Sequence, residues 1–151
     1  MNQVETFWQS FIKKTGKDSM LRYQGCFPFG NNKNLANTLL EHVLSGKKSA
    51  TSSSLLSYKK GKERLPAIGD LSIITDWSGV PKCVIETTGV TTIPFKDITF
   101  EISGREGQDD SLESWKNSHK RFFKEEGKES GYPFTEDMPV VFEEFIVVHT
   151  Q

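Results

Sequence analysis

The chain has 151 residues, of which 35% are hydrophobic and 26% charged, and its formal net charge is −1. That length supports one folded domain with its own core, expected to span residues 1–151. The near-balance of charge excludes indiscriminate polyanion binding, which needs a field of unpaired Lys and Arg, but leaves room for a small basic cleft.

The opening MNQVETFWQS has neither a basic leader nor an apolar run, and no stretch approaches membrane-spanning length. A cytoplasmic location with no membrane partner is therefore expected. In VETFWQSFIKK, Val4, Phe7, Trp8, Phe11 and Ile12 recur at the period of an amphipathic helix, placed at residues 2–14 as an extension and closed by Gly16. CFPFG is a Pro/Gly loop. A second helix is expected over Lys33–Ser45, capped by Asn31 or Asn34, with Leu35, Leu39, Val43 and Leu44 buried and Gly46 just past its end. KSATSSSLLSY reads as strand or extended chain, and KKGKERLPAIGD as an exposed loop closed at Gly69-Asp70. LSIITDW and KCVIETTGVTTI are rich in β-branched residues and joined through Ser78-Gly79, a hairpin pattern. PFKDITFEIS predicts a short strand and a helical turn. Leu112, Trp115, His119, Phe122 and Phe123 predict a helix from Ser111 to about Glu126, capped by Asp110. MPVVFEEFIVVHT predicts a long final strand with an irregularity at Glu143-Glu144. Helices on both sides of a cluster of strands indicate an α+β domain built on a small curved sheet or barrel.

Two cysteines, Cys26 and Cys83, are too few for a disulfide framework and read as free thiols. The sequence has no glycine-rich phosphate loop, no HExxH, no zinc-type cysteine pair and no Gly-x-Ser-x-Gly elbow. No metal or other cofactor is expected, and no DNA-specific motif is present. His42, His119 and His149 are scattered and read as surface residues of helices or strands.

Two polar stretches remain, LSGKKSATSSSLLSYKKG (44–61) and SGREGQDDS (103–111). With FGNNKNLANTLLEHVLSGKKSAT, LPAIGDLSIITD, PKCVIETTGVTTIPFKDI, REGQDDSLESWKNSHKRFF and PVVFEEFIVV in that order, the chain resembles the ASCH family from about Phe27 to Val148. It resembles the longer bacterial subfamily, which carries an extra N-terminal helix. The resemblance implies a PUA-like small β-barrel, a curved mixed sheet with flanking helices, and a cleft that binds RNA or a nucleotide. In some small members the resemblance implies hydrolysis of the acetyl amide of N4-acetylated cytidine by a Lys, a Thr and a Glu. By motif position these are Lys48, Thr51 and Glu106. RNA cleavage is linked to other members. The chain departs from the small hydrolytic members at Ser53, where they carry Arg. It departs from the longer subfamily in EGQDD, where Gln108 replaces a charged residue.

The residues themselves pose a geometric problem. In a regular strand Lys48 and Thr51 face opposite sides, so they converge only if the chain turns, which Gly46 and the small residues allow. If Thr51 or a water attacks an amide, Lys48 must be neutral to accept the proton, although an unperturbed lysine has a pKa of about 10.4. Burial lowers that value, while an ionised Glu106 nearby raises it. If Lys48 stays charged, it anchors a ligand or pairs with Glu106. Arg105 reads as a phosphate contact or a surface ion pair, Trp77 and Tyr132 as stacking residues, Tyr132 in a lid, and Ser53 as a further ligand contact. Trp115 belongs on the apolar stripe of its helix. The expectation is an RNA- or nucleoside-binding cleft, with amide hydrolysis as the alternative and ribonuclease activity ranked last.

Overall fold

The computed structural model describes residues 1–151. Helix α1 (Gln3–Thr15) starts where the Asn2 side chain accepts the Glu5 N–H and ends at left-handed Gly16. Strand β1 is Gly25–Phe27, followed by α2 (Lys33–Ser45), β2 (Ala50–Ser54) and α3 (Leu55–Gly61). Strands β3 (Leu71–Thr75) and β4 (Pro81–Pro94) form the expected hairpin. A 3₁₀ turn (Phe95–Asp97), α4 (Phe100–Ser103), a second 3₁₀ turn (Gly104–Glu106), α5 (Leu112–Ser130) and β5 (Pro139–Thr150) complete the chain. No helix is long and apolar enough to cross a membrane.

The strands form one mixed, curled half-barrel sheet in the order β1-β3-β4-β5-β2. Only the β1–β3 pair is parallel. Strand alternation divides the core between two faces. Leu71, Ile73 and Val84 pack under Phe7, Trp8, Phe11 and Ile12 of α1. Ile74, Cys83 and Ile85 pack on the other side with Leu39, Leu40 and Val43 of α2. A third cluster joins Trp115 and Phe123 of α5 to Phe95, Ile98, Met138 and Val140.

Local details differ from the sequence reading for identifiable reasons. Asn32, not Asn31 or Asn34, caps α2, because its extended backbone lets Oδ1 accept the Leu35 N–H. Leu44 is exposed, and Ala36 and Leu40 take its place on the buried face. Ser111 caps α5 in place of Asp110, accepting the Ser114 N–H. KSATSSSLLSY stops being a strand at Ser54, whose hydroxyl accepts the Ser57 N–H and starts α3. PFKDITFEIS forms two short helical turns and no strand. The irregularity beside Glu144 lies on the partner strand, where Thr88 is the extra residue between the Thr87–Phe145 and Gly89–Glu144 pairs.

Glu143 sits in this sheet with Thr87 Oγ1 donating to its carboxylate at 2.6 Å. Burial pushes its carboxyl above the usual range, with Asp70 adding to the effect and the Thr87 hydrogen bond opposing it. A carboxyl raised on folding costs stability once the pH exceeds its unfolded value of about 4.3. Glu143→Gln should therefore raise the melting temperature at neutral pH. The gain should vanish in acid, where both states hold the proton. Calorimetry at the two pH values checks this.

Candidate functional site

Helix α2 ends at Gly46, whose φ of 83° turns the chain back. The Lys48 N–H donates to the His42 carbonyl at 2.9 Å and the Ser49 N–H to the Arg105 carbonyl at 2.9 Å. The Ser49 carbonyl accepts from the Phe145 N–H at 3.0 Å. Residues 47–49 are thus tied to the Gly104–Glu106 turn and to β5 before β2 begins. Gly107, with φ 80°, closes the junction: a Cβ there would lie 2.4 Å from the Lys47 carbonyl oxygen. Only glycine allows so close a backbone approach in that conformation.

This stitching brings together groups far apart in sequence. Lys48 and Glu106 are both buried, at 3% exposure, with Nζ 3.8 Å from Oε1. Nζ donates to the Ala50 carbonyl at 2.8 Å and lies 5.0 Å from the centre of the Phe29 ring. Glu106 Oε2 accepts from Ser52 Oγ at 2.9 Å and from Trp115 Nε1 at 2.7 Å. Its other oxygen, Oε1, faces Lys48 and also His119, whose Nε2 is 3.5 Å away. The His119 ring stacks on Trp115 with 4.0 Å between centroids, and its Nδ1 lies 2.9 Å from the Trp115 carbonyl.

Burial pulls the Lys48 ammonium below its usual range, opposed in part by Glu106. Burial also works against ionising Glu106, but His119, Lys48 and the Trp115 N–H outweigh it and leave the carboxyl below its usual range. The result is an ionised carboxylate beside a lysine that is costly to keep charged.

These groups open into a cavity of about 440 Å³, a size suited to a small organic ligand. Lys48, Thr51, Ser52, Glu106 and His119 supply its polar surface, and Phe29, Leu35, Leu39 and Phe122 its apolar surface. Arg121, Glu125 and Gln108 also line it. Arg22, Arg64 and Arg105 each pair with a carboxylate, whereas Arg121 makes no ion pair.

Lys48, Thr51 and Glu106 therefore share one cavity, and four other candidates lie outside its lining. Arg105 is paired with Glu144. Ser53 points away, donating to the Tyr58 hydroxyl at 3.1 Å. Trp77 is 44% exposed in the β3–β4 turn, where its N–H meets Asn37 Oδ1. Tyr132 is no lid: it is buried in the third core cluster and donates to Glu126 at 2.7 Å.

Ser52, His119, Arg121 and Phe122 escaped the sequence reading. The histidines were expected at the surface, yet the His119 side chain is 11% exposed and His149 packs between Phe7 and Phe11. One signal was present. His119 and Phe122 belong to the repeat that predicts α5, and Ser118 and Glu125 continue their side of it at helical spacing, so that this edge of the stripe lines the cavity.

A sequence model of the ASCH domain matches residues 25–149. The crystal structure of an ASCH domain from Lactobacillus crispatus JV V101 is 30% identical, with a TM-score of 0.87 over 96% of this chain and 93% of that one. A protein of Enterococcus faecalis V583 is 37% identical, with a TM-score of 0.88 over 97% of this chain and 88% of its own. No curated protein matches the chain.

Proposed function

The chain belongs to the ASCH domain family, whose fold is PUA-like, and from that premise we propose that its cavity binds one nucleoside-like unit, free, in a nucleotide or splayed from an RNA strand. The observation that carries this reading is the convergence of Lys48, Thr51 and Glu106 in a cavity with aromatic walls. The 41%-exposed Phe122 offers a ring to a planar base, and buried Phe29, stacked on Phe145, adds an apolar wall. The polar cluster offers both donors and acceptors to its edge. Arg121, unpaired beside Phe122, supplies the phosphate contact, since Arg105 forms the surface ion pair that was its other expected role.

Calorimetric titration with cytidine, cytidine 5′-monophosphate, adenosine 5′-monophosphate and a short single-stranded RNA tests this. At least one should bind, and Lys48→Ala should weaken it by about tenfold or more. Arg121→Gln should weaken only the phosphorylated probes. Absence of binding by all of them sinks the proposal.

One observation favours a second reading, amide hydrolysis of an acylated nucleoside. Burial works toward a neutral Lys48, and a neutral amine can take a proton from Thr51 or a water as it attacks the acyl carbon. Being ionised, Glu106 first takes that proton from Lys48, 3.8 Å away, and passes it to the departing amine; where Thr51 is the attacker, a water then hydrolyses the acyl ester. Incubation with N4-acetylcytidine, followed by chromatography, separates catalysis from binding alone. Turnover should disappear in Lys48→Ala. Cleavage of labelled RNA, lost in the same variant, would instead favour ribonuclease activity.

A further inference from the structure

Lys48 presents a difficulty for either reading. It faces a carboxylate that should hold its proton in place, yet it sits where a cation is costly. The groups around the pair suggest how both conditions are met. The charged or titratable groups lining the same cavity are Lys48, from the segment before β2, Glu106, from the turn before Gly107, and His119, Arg121 and Glu125, from α5.

The His119 ring is fixed in a way that decides which nitrogen carries which proton. Nδ1 lies 2.9 Å from the Trp115 carbonyl, which can only accept, and 3.3 Å from the Ser118 hydroxyl, which itself donates to that carbonyl at 3.1 Å and so is free to accept; both neighbours favour a hydrogen on Nδ1. Nε2 is then the variable nitrogen, and it points at Glu106 Oε1 from 3.5 Å. Without a proton, Nε2 would set a lone pair against a carboxylate oxygen. With one, it places a positive charge beside a buried negative charge.

Lys48 and His119 thus compete to balance a single anion. Keeping both cations would leave a net buried positive charge, which is expensive. His119 is the cheaper cation to keep. Its charge is spread over a ring, its side chain is 11% exposed against 2% for Lys48, and it is nearer to Oε1, at 3.5 Å against 3.8 Å. A neutral Lys48 can still donate to the Ala50 carbonyl.

We infer that His119 is a positioning residue of this cavity: it supplies the positive charge that balances Glu106 and lets Lys48 stand in the cavity as a neutral amine. Its consequence for ligand handling rests on the function proposed above, because a neutral Lys48 offers a lone pair to an incoming N–H or O–H. The proton balance itself requires no ligand.

The test reads the Lys48 proton directly, by following the ¹³Cε resonance of labelled lysine against pH, assigned through its loss in Lys48→Met. His119→Phe keeps a ring on Trp115 and removes the charge. It should raise the pH at which Lys48 loses its proton by about one to three pH units, the scale of a single nearby charge. His119→Gln should do the same. Glu106→Gln should move Lys48 the other way. Adding His119→Phe to Glu106→Gln should produce a much smaller rise than in the parent protein only if the two residues act on Lys48 as a pair.

A Lys48 midpoint unmoved in both His119 variants overturns the inference. So does a full-sized rise in the Glu106→Gln background. Should His119→Phe fail to fold, His119→Gln and the imidazole ¹⁵N spectrum of the parent protein decide. That spectrum must show Nδ1 protonated throughout, and a bare Nδ1 overturns the assignment. If Lys48 moves as expected while no nucleoside, nucleotide or RNA binds, the proton balance stands and the functional reading falls.

Discussion

Glu106→Ala should lower folding stability by about 3–5 kcal/mol, the scale for breaking a buried ion pair, and remove ligand binding. Glu106 is the one group that contacts Lys48, Ser52, Trp115 and His119 together. Truncation leaves the Trp115 N–H and the Ser52 hydroxyl without their acceptor and leaves two basic side chains facing each other. Glu106→Gln should cost less, because an amide oxygen can still accept both hydrogen bonds. Urea denaturation of the three proteins checks the order.

The pH dependence supplies a second check on the same residue. Glu106 has a lowered folded pKa, so its contribution is fully present above the unfolded value of about 4.3 and is lost as pH falls through the folded value. The gap in stability between the parent and Glu106→Gln should therefore close in acid. A gap that stays constant from neutral to acid pH would show that the carboxylate charge contributes nothing.

Gly107→Ala should do comparable damage without touching a functional side chain. The left-handed conformation costs a non-glycine residue about 1–2 kcal/mol. The added methyl would also meet backbone, with the Lys47 carbonyl oxygen at 2.4 Å and its carbon at 2.8 Å. That contact cannot be relieved by a side-chain rotation, so the turn carrying Glu106 must move away from the segment carrying Lys48. Overpacking of this kind costs a further amount of about 1–3 kcal/mol. Ligand affinity should fall with stability even though the Lys48, Thr51 and Glu106 side chains are unchanged. Gly131→Ala is the control. It has the same backbone strain, with φ 87°, but no atom lies within 4 Å of the added methyl. It should lose stability modestly and keep binding. Equal loss of binding in both variants would refute the view that backbone approach at Gly107 builds the site.

Helices α1, α2 and α5 and the β3–β4 hairpin were legible in the sequence. Apolar periodicity and end-capping glycines are local properties, and burial of the periodic faces followed them. The order of motifs likewise carried the family and the curved mixed sheet with flanking helices. Boundaries were less legible where two signals overlap. At Ser54 a hydroxyl can belong to a strand or cap a helix, and the cap prevailed.

The composition of the site divides along the same line. The family resemblance carried by the motifs nominated Lys48, Thr51 and Glu106, and lysine chemistry explained why Lys48 would need burial to act as a base. Tertiary structure decided what stands around them. Ser52 and Trp115 occupy one oxygen of Glu106. His119 reaches the other from α5, although three scattered histidines carry no local sign of a shared partner. Arg105 and Tyr132 were drawn away to Glu144 and Glu126. Hydrophobic period reports which face of an element is buried, and it is readable one segment at a time. A charge's partner depends on where other segments arrive, here fixed by the hydrogen bond from Ser49 to Arg105 and by the contact across Gly107, and no local pattern encodes that meeting.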